Sequence, residues 1–152
     1  MIRKATVEDV SRIAEILIFT KRMNYRKIFH DDKTSFGVMQ VYPLAKEYLD
    51  NPEKLEHIWV YADEFVKGMI HIVGREIAEL YVDSFFENQG IGSELIDFAV
   101  EEKRCNRLWV LEKNAEAIRF YERHGFILTE KKQLQAGTTE YLVRMERCGS
   151  KQ

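Results

Sequence analysis

Proline is scarce in this chain, two residues in 152, and glycine numbers only eight. No stretch is rich enough in Pro, Gly or Ser to form a linker, and no repeat or low-complexity tract divides the sequence. A single domain over residues 1–147 is expected, with 148–152 as a short C-terminal tail. Cysteine is equally sparse. Cys105 and Cys148 lack metal-ligand spacing, which excludes a disulfide framework or a zinc ribbon and fits two reduced thiols in a cytoplasmic protein. Long apolar runs are missing too: Ile58 to Ala62, five residues, is the longest, where a spanning helix needs ~20. The opening Met1-Ile2-Arg3-Lys4 turns polar at Thr6, Glu8 and Asp9, without the apolar core of a signal peptide. Neither charge dominates. Lys and Arg number 23 against 25 acids, a net charge of -2, so there is no basic surplus for nucleic acid or an anionic membrane. His30, His57, His71 and His124 are scattered without ligand spacing, and no metal is expected.

What is present is core material. The chain is 45% hydrophobic and 12% aromatic, and one of this length buries ~70% of the surface its unfolded form exposes. Ile2 to Ala5 can start a strand, after which Thr6 and Asp9 have the spacing of a capping box. Val10, Ile13, Ala14 and Leu17 then share a helical stripe that ends on basic Lys21 and Arg22. Met23 to Asp50 has mixed periodicity and reads as irregular structure followed by a helix that stops before Asn51-Pro52. Three strand-like runs come next, Ile58–Ala62, Met69–Val73 and Ile77–Val82, with turns short enough for a meander. Gly90 and Gly92 introduce a helix carrying Ile91, Leu95, Phe98 and Ala99 on one face. Leu108–Leu111 is a short apolar strand. Asn114 opens another helix that closes at His124-Gly125, and strands near Phe126–Thr129 and Glu140–Met145 end the chain. The fold class is α/β, with a mixed, mostly antiparallel central sheet flanked by about four helices.

The chemistry concentrates at Leu80-Tyr81-Val82-Asp83-Ser84-Phe85-Phe86-Glu87-Asn88-Gln89-Gly90-Ile91-Gly92-Ser93, where a strand runs through a glycine loop into a helix. Amides at such a helix start point outward and the helix dipole adds positive potential, which suits a pyrophosphate. Gly90 and Gly92 carry no side chain to hold an anion off the backbone. A Walker loop is excluded, because no Gly-Lys-Ser/Thr follows, and a dinucleotide fingerprint would want a third glycine.

After the next strand stands Asn114-Ala115-Glu116-Ala117-Ile118-Arg119-Phe120-Tyr121-Glu122-Arg123-His124-Gly125-Phe126. Together the two segments resemble the GNAT superfamily of acetyl-coenzyme A-dependent N-acetyltransferases. The first is similar to its pyrophosphate loop, the second to its Asn-x-x-Ala-x-x-Phe-Tyr helix, and the order of elements is also that family's. Glu87 departs from the pattern by standing where Gln or Arg is preferred, which sets a carboxylate near the anion. The resemblance implies acetyl-coenzyme A as cosubstrate, held by Leu80, Tyr81 and Val82 along the strand, by Glu87, Asn88, Gln89, Gly90, Ile91, Gly92 and Ser93 in the loop, and by Asn114, Ala117 and Tyr121 on the later helix. It also implies Tyr121 as the acid that protonates the coenzyme A thiolate.

For the base that takes the amine's proton, Glu79 is the first candidate and Glu76 the second. Strand alternation sets Glu79 with Ile77 and Tyr81, and an acid in an apolar strand must face a cleft or a partner. The acceptor is expected to be a small-molecule or peptide amine. Its site is assigned by exclusion to the aromatic, irregular segment Met23 to Tyr42, through Tyr25, Phe29, Asp31 and Asp32. Two other readings remain: a non-catalytic acyl-coenzyme A-binding regulatory module, and a glycine-rich nucleotide-binding protein. A homodimer is compatible with all of them.

Overall fold

The computed structural model describes residues 1–29 and 41–148. In chain order the elements are β1 (Ile2–Lys4), α1 (Val10–Phe29), α2 (Val41–Asp50), β2 (Ile58–Ala62), β3 (Val66–Val73), β4 (Glu76–Val82), α3 (Ile91–Lys103), β5 (Arg107–Leu111), α4 (Ala115–Arg123), β6 (Phe126–Leu134) and β7 (Tyr141–Arg147). Short 3-10 segments precede α1, β2 and α3. The seven strands form one sheet in the order β1-β2-β3-β4-β5-β7-β6. Every pairing is antiparallel except β4 with β5.

Strand alternation sorts the side chains into two cores. Along β2, Ile58, Val60 and Ala62 meet Val10, Ile13 and Leu17 of α1 and Tyr48 of α2. Trp59 and Tyr61 face the other way, onto the core built by Leu95, Ile96 and Ala99 of α3 with Ile70, Leu108, Phe126 and Met145 of the sheet. Burial of each large apolar side chain contributes ~1.5–3 kcal/mol. The α1 stripe expected from Val10, Ile13, Ala14 and Leu17 is fully buried. At its foot the Asp9 carboxylate accepts from the Thr6 amide at 2.8 Å and takes both Arg3 guanidinium nitrogens at 2.8 and 3.0 Å, tying β1 to the start of the helix.

One expectation is corrected. Met23 to Phe29 is not irregular: α1 continues through these residues to a length of 20. The helix outlasts the basic turn at Lys21-Arg22, which by its charge alone resembles a helix end.

Two irregularities in β4 shape the centre of the sheet. Against β3, His71 pairs with Glu79 but Ile72 pairs with Ile77, so Ala78 is an extra residue and β4 carries a bulge there. Against β5, the parallel ladder consists of Glu76–Arg107 and Ile77–Leu108 and goes no further. A bulge bends its strand and increases the local twist. The bend at Ala78 therefore carries the rest of β4 away from β5 and opens the sheet between them.

Candidate active site

The opening between β4 and β5 is a cleft of about 460 Å³. One wall is Ala78 to Val82, the other Trp109 to Leu111, and Asn114, Ala117, Phe120 and Tyr121 of α4 lie along it. Among the described residues the ladder between β4 and β5 stops at Ile77, so beyond it the two strands diverge around the cleft.

At the mouth of the cleft the chain leaves β4 through Asp83. The Asp83 carboxylate accepts from the Phe85 amide at 2.9 Å and pairs with Arg12 of α1, whose Nε also donates to the Val66 carbonyl at 2.9 Å. This node, which no local sequence pattern signals, pins the loop to α1 and β3. Asn88 at φ 65° and Gly90 at φ 82° turn the chain into α3 in left-handed conformations that Asn and Gly tolerate best. The first amide bonded back into α3 is that of Glu94, to the Gly90 carbonyl at 3.0 Å, so those of Ile91, Gly92 and Ser93 precede the helical ladder. The two glycines serve different ends. A Cβ on Gly90 would meet nothing within 4 Å, whereas one on Gly92 would lie 3.3 Å from Phe120 Cζ. Gly92 lets the start of α3 pack against α4.

Of the residues expected at the site, Glu79, Leu80, Tyr81, Val82, Glu87, Gly92, Asn114, Ala117 and Tyr121 line the cleft together. Asn114 also caps α4, its Oδ1 accepting from the Ala117 amide at 3.2 Å. The Tyr121 ring is held edge-on by Phe120 and Phe126, with centroids 5.3 and 6.0 Å away. Glu76 is not among the lining residues. It sits where β4 and β5 are still joined, with Arg107 Nε 3.8 Å from its carboxylate. Tyr25 and Phe29 fall in the last turns of α1, and Asp31 and Asp32 lie outside the described residues.

Glu79 shares a face with Tyr81, as alternation implies, but not with Ile77. The bulge puts Ile77, Leu80 and Val82 on the α3 face and turns Glu79 with Tyr81 toward α1. There one carboxylate oxygen is 3.4 Å from Lys21 Nζ and the other 3.6 Å from His71 Nδ1. Burial alone would push the Glu79 carboxyl up, but His71 and Lys21 together hold it below the usual range, so it is a carboxylate at neutral pH. Burial, with the Glu79 charge adding to it, pushes the nearby Tyr48 hydroxyl up. His71 carries no signal in the sequence because it lacks ligand spacing; what marks it is its register position opposite Glu79. Cys105 is buried and its thiol is pushed up to about 11, which leaves it a poor nucleophile.

A second cavity, of about 480 Å³, lies between α1 and the loop after β4. Phe19, Met23, Phe65, Phe85 and Phe86 line it, and Thr20 lines both it and the cleft. Apolar surface bordering the cleft thus comes from α1 and this loop.

Residues 54–128 match the model of the acetyltransferase (GNAT) domain. A stretch of 75 residues is 41% identical to an uncharacterized N-acetyltransferase of Methanocaldococcus jannaschii, covering 46% of this chain and 32% of that protein. The match thus spans about a third of the length of that curated relative. The solution structure of apo YjaB from Escherichia coli aligns over 99% of this chain and 98% of its own, with a TM-score of 0.72 at 19% identity. The structure of yncA from Salmonella typhimurium, solved with its cofactor acetyl-coenzyme A, aligns over 95% and 91%, with a TM-score of 0.61 at 19% identity. At these identities the structures speak for the fold, while the family model falls on the stretch that runs from before β2 through the loop and α4 into β6. The parted strands, the glycine loop and the Asn-to-Tyr helix lie within that matched stretch, which is an acetyltransferase domain of the GNAT family.

Proposed function

We propose that this protein transfers an acetyl group from acetyl-coenzyme A directly to a primary amine of a small molecule or peptide. The observation that carries the reading is the cleft itself: a strand that parts from β5 beyond Ile77, a helix start at its mouth, and Tyr121 on its wall. Acetyl-coenzyme A supplies the activated thioester. The Leu80–Val82 edge binds the pantetheine amides and polarises the carbonyl, the amides of Ile91 to Ser93 receive the pyrophosphate, and Asn114 adds a polar contact. Glu87 lines the cleft at its phosphate end, where its charge lowers affinity without blocking main-chain donors. The neutral amine attacks the carbonyl carbon, the carbon–sulfur bond breaks, and Tyr121 gives the departing thiolate a proton. The amine's proton passes to Glu79, directly or through a water. The protein works in the cytoplasm, where its two thiols stay reduced.

The test is release of free thiol from acetyl-coenzyme A in the presence of polyamines, amino acids, aminoglycosides and peptide N-termini. Release that needs one class of amine supports transfer and names the acceptor. Stabilisation by acetyl-coenzyme A without release for any amine would make the protein a non-catalytic acyl-coenzyme A-binding module.

A further inference from the structure

We propose that His124 tunes the grip of the α3 start on coenzyme A phosphates by reversing the Ser93–His124 hydrogen bond, so that cofactor binding takes up a proton. The inference rests on coenzyme A phosphates sitting at that helix start. Ser93, in the first turn of α3, has its Oγ 3.1 Å from His124 Nε2. On the other side of the ring, Asp97 Oδ1 is 3.7 Å from Nδ1. The imidazole packs on Phe120, centroids 4.8 Å apart, and the His124 carbonyl accepts from Arg147 Nε at 3.0 Å. The charged groups around it are Asp97 from α3, Arg123 from α4 and Arg147 from β7.

Burial holds the imidazole below its ordinary range; Asp97 opposes this, while Arg123 and Arg147 reinforce it. The ring is therefore mostly neutral at pH 7. Asp97 favours the tautomer with the proton on Nδ1, which leaves Nε2 an acceptor. Ser93 must then donate its single hydroxyl proton to Nε2 and can offer a phosphate only lone pairs. Protonation reverses the bond. Nε2–H now donates to Oγ, the Ser93 proton is free for a phosphate oxygen, and a positive charge stands beside the first turn. Both changes favour an anion, so a bound pyrophosphate raises the His124 pKa. By linkage, binding is strongest at low pH and weakens as pH rises through that raised value.

Dephospho-coenzyme A is the probe, because a 3′-phosphate would itself titrate near pH ~6. Calorimetric titration of the full chain between about pH 5.5 and 7.5 should show affinity rising roughly threefold to tenfold toward acid, the latter corresponding to one pKa unit on binding. Proton uptake should appear as a dependence of the heat on the buffer's ionisation enthalpy. His124→Gln, which places a fixed donor near Nε2, should flatten the profile. Ser93→Ala should weaken binding more at the acid end than at the alkaline end, and so shrink the pH dependence, since at alkaline pH the hydroxyl proton is already committed to the ring. A flat wild-type profile, or a slope that survives His124→Gln, overturns the proposal. Absence of binding at every pH would remove the cofactor reading and this inference with it, whereas binding that ignores pH removes the inference alone.

Discussion

Replacing Tyr121 by Phe keeps the ring between Phe120 and Phe126 and removes only the hydroxyl. Turnover should fall about 10²-fold or more, with coenzyme A affinity nearly unchanged, measured by steady-state kinetics beside a binding titration. Unchanged turnover would make the tyrosine a packing residue. For Glu79 the expectation concerns pH. Its folded pKa is depressed by His71 and Lys21 against the opposing pull of burial. It therefore contributes stability above the ordinary carboxylate range, and that contribution is lost as pH falls through the depressed value. His71→Gln removes one of the groups that hold it down, so burial should push the carboxyl up and move the acid limb of the rate profile to higher pH. A limb that stays in place would separate Glu79 from the rate. Tyr121 was singled out through the resemblance of its helix to the GNAT motif, and it lines the cleft. The partners of Glu79 could not be named from the chain, because Lys21 and His71 reach it from α1 and β3.

The glycines at the start of α3 give a test at the level of the element. Gly90 sits at φ 82° with open space around it, so Gly90→Val costs mainly backbone strain, ~1–2 kcal/mol, and the fold should survive. The amides behind it would be re-aimed, and coenzyme A should no longer raise the melting temperature. Gly92→Val adds atoms against Phe120 and Val82, so it should lose ~1–3 kcal/mol of stability by denaturant titration as well as the cofactor response. Equal behaviour of the two variants would show that α3–α4 packing does not shape the site. Most elements were readable because their periods are strong; Ile58–Ala62 and the end of α2 at Asp50 match the expectation residue for residue. The continuation of α1 past Lys21-Arg22 was missed, because a basic turn marks a helix end only where the chain does leave the helix. The Ala78 bulge was invisible for a different reason. It is a mismatch between two strands, and a period read along one strand keeps Ile77 on the face of Glu79 and Tyr81, which the bulge separates.

For the whole molecule the accessible quantity is linkage. Acetyl-coenzyme A at ~100 times its dissociation constant should stabilise the fold by about 2.7 kcal/mol. For a chain of this size that is a rise of roughly 5–11 °C in melting temperature, read by differential scanning fluorimetry. No rise at millimolar cofactor would sink the coenzyme A assignment. By itself the chain determined the class of fold, the order of its elements and the place where a glycine loop runs into a helix start, since all three depend on neighbours within a few turns of sequence. Only the tertiary structure decided that β4 parts from β5 after Ile77, that Arg12 pins the loop through Asp83, and that Glu79 faces Lys21 and His71. Those facts depend on which strand lies beside which and where their registers slip. Such contacts join residues up to 71 positions apart, and no local pattern records them.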